Sequence, residues 1–517
     1  AETKTDWPMA GFDTNNSRYN PNPGLKAADV PKLKVKWAFS IAGHGNAQPV
    51  VIGDWMWMLS RGKMYALDPH SGCVRWKVDG VSARNTPPVF KSNLSPSGWM
   101  MIVGQGSKVV NAFDAKDGKQ IWASEQLETH RASGITGSPV VYGNQVFVPI
   151  TSGEEATSQA ATYPCCSFRG SLVALDLATG KTQWKTMMIS EPMQPIRKNA
   201  SGTQLQGPAG AAIWSSPTID PKRKLVLVAT GDSYTDADTK GADAIVAMDM
   251  KTGAIKWSTQ VTEKDNFIMG CNGAKVGANC PTPVGPDFDF GSSPIVFKLK
   301  NGKEVVLSGQ KSSIAYGMDA DTGKELWKYA TGRGSALGGI EWGMAADTTA
   351  LYAGNSDIAN MFDAYARKAG SEPPFAEQQP EAQPGLTAIN PANGKVLWHV
   401  VPPQAPCEMK TGRYPGACFN AMSAAPAVMP GAVFEGTVDG WFRAYDTKTG
   451  KVLWEDSTTS RTYSTVNGVA AQPGGGIDGN GPVIAGGMVF VTSGHDGAAG
   501  VGGNGTNVLL AYSVDGK

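Results

Sequence analysis

The stretch SLVALDLATGKTQW, residues 171–184, decides the fold. Its first half is an apolar run suited to a buried strand. Asp176 and Gly180 bracket a turn, and a second strand leaves through Trp184. Strand, Asp/Gly turn and strand make a β-hairpin. The same Asp-x-x-x-Gly-x-x-x-Trp spacing recurs at Asp68/Gly72/Trp76, Asp114/Gly118/Trp122, Asp249/Gly253/Trp257, Asp319/Gly323/Trp327, Asn390/Gly394/Trp398 and Asp446/Gly450/Trp454. A second strand pair precedes each hairpin, as in SPVVYGNQVFV at 138–148. Four strands per unit is the blade of a β-propeller. The last unit, 482–513, ends without its tryptophan, and LKVKWAFS at 33–40 supplies the missing strand with Trp37. The expected fold is an all-β, eight-bladed propeller of four-stranded antiparallel blades, closed by the N-terminal strand and forming one domain over 1–517. The eight repeat tryptophans are read as packing between blades.

Composition agrees. Sixty-three Gly and 34 Pro among 517 residues suit many tight turns and exclude a helical bundle. Lys plus Arg at 46 against Asp plus Glu at 45 argues against a nucleic-acid partner. No run is long enough for a membrane span; WMWML at 55–59 is far too short. The start, Ala1-Glu2-Thr3-Lys4, has no apolar signal core and reads as a mature end, although a trimmed start would look the same. The pairs Cys271/Cys280 and Cys407/Cys418 each flank a short loop and suit disulfides, hence a periplasmic or secreted location; metal ligands or free thiols are the other readings. No CxxC or CxxCH spacing is present, which argues against zinc and against a covalently attached haem. The five histidines show no metal-ligand spacing, and no catalytic-triad, phosphate-loop or dinucleotide signature occurs.

An eight-bladed ring carrying these repeats, with the phrases SGEE at 152–155, ATGD at 229–232 and DFDFGSSP at 287–294, resembles the pyrroloquinoline quinone (PQQ) dependent alcohol dehydrogenases over nearly the whole chain. Repeats alone would also suit the outer-membrane assembly propellers, which bind no cofactor, so the site residues carry the functional reading. The resemblance implies PQQ and Ca²⁺. It implies Glu155, Asp232 and Asp289 as metal ligands, with Asp232 standing where the family has Asn. Trp214, eighteen residues before Asp232, matches the family's aromatic floor for the quinone. Asp289 is the implied base and Lys311, in GQKSS, the cation against the reactive quinone oxygen. Three carboxylates at one end of consecutive blades would repel unless a cation lay between them.

Looser matches suggest further cofactor contacts at Arg84, Thr136, Ser152, Gly153, Glu341, Trp342 and Asn420, and at Gln48 in place of a usual Glu. Relatives carry adjacent cysteines, joined as a disulfide, over the quinone. Cys165 and Cys166, ten residues after Glu155, suggest a similar cap; the competing reading pairs one of them with Cys73. Within the family, GADAIVAMD at 241–249, SGQKS and DFDFGSSP look most like polyvinyl alcohol dehydrogenases. The implied reaction is oxidation of secondary hydroxyls of a polymer to ketones, with an external cytochrome c as electron acceptor because this stretch contains no haem motif. Another PQQ alcohol or sugar dehydrogenase is the alternative within the family.

Overall fold

Eight antiparallel blades, seven of four strands and one with a short fifth strand added, make up the ring of the structure, a computed structural model, with two two-stranded sheets besides among the described residues. It describes residues 5–41, 47–60, 62–237, 239–271, 277–357, 384–403, 419–470, 472–494 and 507–517. The Cys407/Cys418 pair lies outside the described residues. Blade 3 consists of Val140–Tyr142, Gln145–Ser152, Ser171–Asp176 and Thr182–Met187, with the short strand Ser133–Gly134 added against the end of Gln145–Ser152. Its third strand is almost wholly buried, whereas its fourth is half-exposed. Middle strands packed on both faces by neighbouring blades explain the continuous apolar runs. Blade 8 joins Val483–Ala485, Met488–Ser493 and Asn507–Val514 to Leu33–Ile41, which pairs from Leu33 opposite Val514 to Ile41 opposite Asn507. The N-terminal strand therefore closes the ring, as expected, and removes an open sheet edge.

The repeat turn explains its own sequence. Asp176 Oδ1 accepts the Thr179 backbone N–H at 3.0 Å and the Thr179 hydroxyl at 2.8 Å. Gly180 has φ +71°, and a Cβ there would strike the Trp122 ring of the preceding blade. Trp122 Nε1–H donates to Leu177 O at 3.0 Å. Trp37, Trp184, Trp327 and Trp398 donate likewise to the next blade's turn, and Trp454 donates to Leu33 O across the closure. The tryptophans thus lock neighbouring blades together.

A feature the sequence did not announce occupies the axis. Residues 5–24 pass along the first strands of six blades. Trp7 pairs with Val51, Pro8 O accepts from Val89, Thr14 O from Ile219, Ser17 O from Ala346, and Arg18 O from Val428. Asn20 Nδ2 reaches Ile484 O at 2.8 Å. The leading segment therefore stitches blades 1, 2, 4, 6, 7 and 8 together through their inner strands.

Candidate active site

Second strands end, and first strands begin, at one end of the ring, and the expected residues gather there. In blade 3, Gln145–Ser152 runs into a single helical turn, Glu154–Thr157. Ser152 Oγ accepts the Glu154 N–H at 2.8 Å, and the Gly153 N–H donates to Ala132 O at 2.8 Å. Both residues thus shape the turn that presents Glu155. Asp232 follows the second strand of blade 4, and its backbone N–H donates to Asp289 Oδ1 at 2.6 Å. Gly231 makes this approach possible, because a Cβ there would collide with the Asp289 carboxylate.

Lys311, buried after the second strand of blade 5, places Nζ 2.8 Å from Asp287 Oδ1 and 2.9 Å from Asp289 Oδ2. Its backbone N–H also donates to Asp289 O at 3.0 Å. Glu155, Asp287 and Asp289 each offer a carboxylate oxygen, all within 4.8 Å of one another. Asp287 is the residue the sequence reading missed. The signal was present in its own phrase, Asp-Phe-Asp, but its φ of +61° sets its direction and no residue pattern reveals that.

The electrostatics of the cluster are lopsided. Burial, and then the Asp289 charge, push Glu155 up to about 7. Burial and the same neighbours hold Asp232 and Asp287 well above the ordinary carboxylate range. Burial works against the charge on Lys311, but Asp287 and Asp289 outweigh it and hold the ammonium well above its ordinary pKa. One lysine faces four carboxyl groups, and Asp232 Oδ2 is buried without a hydrogen-bond partner among the described residues. Such a set calls for a cation with oxygen ligands.

Trp214 forms the flat element beside this cluster. Its ring leaves no room for a Cβ at Gly291, Trp342 meets it edge-on at 5.3 Å, and Lys311 Nζ lies 5.5 Å from its centroid. Glu341 is buried beside it. Its Oε2 has no partner among the described residues, and burial pushes it up to about 8. Thr136 Oγ1 is also buried and unpartnered, and lines a cavity with Trp214 and Trp342.

Cys165 and Cys166 are joined to each other, and Cys73 is exposed and outside any disulfide, which removes the competing pairing. The cysteine pair packs in the same apolar cluster as Trp214. Buried Glu154 holds this loop, accepting Tyr163 Oη at 2.8 Å, the Ser167 N–H at 3.0 Å and the Phe168 N–H at 2.7 Å. Cys271–Cys280 is a disulfide, as expected, and Asn279 beside it donates to Ser158 O at 2.8 Å.

Three more of the expected contacts are Gln48, Arg84 and Asn420. Gln48 is buried against the leading segment. Its amide, oriented to satisfy both neighbours, accepts from Trp7 Nε1 at 2.6 Å and donates to Asn480 O at 2.8 Å. Its side chain therefore ties the leading segment at Trp7 to the loop at Asn480. Arg84 is exposed at the site end of blade 2. Asn420 is buried and donates to Pro402 O at 2.7 Å.

Compared with known proteins, the chain is 44% identical to a polyvinylalcohol dehydrogenase of a Pseudomonas species, over all of this chain and 78% of that one. It is 41% identical to the polyvinylalcohol dehydrogenase of Sphingopyxis, over 99% and 77%. The chain belongs to the PQQ-dependent alcohol dehydrogenase family. Residues 124–272 match the family model described as glucose/ethanol/alcohol dehydrogenase, β-propeller domain. That segment holds Glu155, Trp214 and Asp232. Residues 383–516 match the model of outer membrane protein assembly factor BamB, a stretch containing none of the clustered carboxylates and not Lys311. The assembly-type likeness is therefore one of repeats. The crystal structure of quinohemoprotein alcohol dehydrogenase from Comamonas testosteroni shares the fold, with TM-score 0.66 and 20% identity over 99% of this chain and 81% of that one. The dehydrogenase's own residues fit the family's cofactor: Trp214 offers an aromatic face, Thr136 and Glu341 offer uncommitted polar atoms, and the carboxylates suit a hard cation. Among the described residues no helix is long and apolar enough to cross a membrane.

Proposed function

We propose that this dehydrogenase oxidises secondary alcohols, polyvinyl alcohol among them, to ketones, using PQQ and Ca²⁺ and passing electrons to an external cytochrome c. The observation that carries the reading is Lys311 Nζ, held between Asp287 and Asp289 beside the face of Trp214. When bound, the ortho-quinone accepts the two electrons of the carbinol C–H bond, and Ca²⁺ polarises its carbonyl.

The chain's residues do the rest. Glu155, Asp287 and Asp289, whose oxygens lie within 4.8 Å of one another, would hold the metal, with Asp232 beside them. Asp289 takes the substrate hydroxyl proton on its carboxylate, which the Asp232 N–H and Lys311 Nζ orient through separate oxygens. Lys311 supplies a fixed positive charge where oxyanion character develops. Thr136, Glu341 and Trp342 would hold the quinone beside Trp214, and the Cys165–Cys166 disulfide, packed in the same cluster as Trp214, would cap it.

The identity to two polyvinylalcohol dehydrogenases supports the polymeric substrate. Two disulfides among the described residues support an oxidising, periplasmic or secreted setting. The test reconstitutes the chain with PQQ and Ca²⁺ and follows dye reduction with polyvinyl alcohol, small secondary alcohols and primary alcohols. Turnover should require both additions and should favour secondary hydroxyls. Turnover with primary alcohols alone would overturn the substrate, and no turnover with any alcohol would overturn the reading.

A further inference from the structure

Beside the segment that carries Asp287 and Asp289 lies a second chamber, of about 300 Å³. Exposed Lys240, Glu263 and Lys264 line its mouth, and buried Asp243, Asp265 and Ser233 line its depth. Asp243 is the unusual member. It is 0% exposed, and neither carboxylate oxygen has a hydrogen-bond partner among the described residues. Its backbone is fixed in the left-handed region at φ +48°, with its N–H on Gly231 O at 2.9 Å and its carbonyl accepting from Val261 at 3.0 Å. The side chain is therefore committed to this position. A buried, unpaired carboxylate is costly, and protonation removes the charge but leaves an unsatisfied polar group. A hydrated cation answers both demands.

Asp265 adds a second carboxylate. Its Oδ1 accepts the Asp287 N–H at 2.9 Å and its Oδ2 the Phe288 N–H at 2.6 Å, and each oxygen keeps a lone pair. Gln260 spends its amide protons on Thr239 O and Ala242 O, so its carbonyl oxygen remains as a neutral donor on the wall. Carboxylates, an amide oxygen and room for several waters match a hard divalent ion.

We propose that this chamber binds a second divalent cation, separate from the one at Glu155, with Asp243 and Asp265 as its carboxylate ligands. Because Asp265 also holds the backbone of Asp287 and Phe288, occupancy would stiffen the segment that bears two of the site carboxylates.

The test is calorimetric titration of the metal-stripped full chain with CaCl₂, without quinone. Two ions should bind per chain. Asp243→Asn should bind one, as should Glu155→Gln, each variant losing a different ion. One ion in the unaltered chain, or two retained in Asp243→Asn, would overturn the chamber. If Glu155→Gln keeps two ions while Asp243→Asn keeps one, the chamber stands and the metal reading of the quinone site falls. Asp243→Ser is a second variant in case Asn is not accommodated. Should neither fold, the stoichiometry of the unaltered chain decides alone.

Discussion

Asp287 and Asp289 sit two residues apart and share one lysine, so their roles can be separated by substitution. Asp289→Ala should lower dye-linked turnover by about 10³-fold, the usual scale for losing a positioned base, with the far-ultraviolet circular dichroism unchanged. Retained activity would exclude Asp289 as the base. Lys311→Met should lower kcat by about 10²-fold and leave two carboxylates closer to repulsion, so its calcium-free form should also be less stable. The pH dependence has a definite sign. Asp265 at about 6, Glu155 at about 7 and Glu341 at about 8 all lie above their ordinary values, chiefly through burial. Each therefore favours the folded chain below its unfolded pKa, and that advantage is lost as pH rises through the folded pKa. Without calcium, Tm should fall from about pH 5 to about pH 8. With saturating calcium the slope should flatten, because the metal replaces the protons on Glu155. Differential scanning calorimetry in chelator and in calcium checks both limbs.

At the scale of elements, the hairpin turn and the preceding blade's tryptophan form one device. Trp122→Ala removes a ring packed on Gly180 and a hydrogen bond to Leu177 O. It should cost about 3 kcal/mol in urea unfolding, in the range of aromatic truncations. Gly180→Ala should cost more than about 1 kcal/mol, because a side chain at φ +71° is strained and points into that ring. The two changes should be non-additive, since they remove the same contact. Additive losses would show that turn and ring are independent.

For the whole molecule, closure depends on the leading residues. They supply the outer strand of blade 8 and bridges to the inner strands of six blades. Deleting residues 1–41 should leave an unpaired edge on Asn507–Val514, and the product should aggregate on gel filtration and lose its sharp thermal transition.

The repeat spacing in the sequence determined the number of blades, the hairpins and the closing strand, because local turn chemistry and strand pairing are periodic and can be counted. The phrases around Glu155, Asp232, Asp289 and Lys311 also pointed to one end of the ring. Only the tertiary structure decided that Asp287 joins them, that Gln48 ties the leading segment to Asn480, and that Asp243 lies buried without a hydrogen-bond partner among the described residues. Those outcomes depend on a left-handed φ, on a chain crossing from blade to blade, and on burial by distant residues. None of these leaves a local pattern in the sequence.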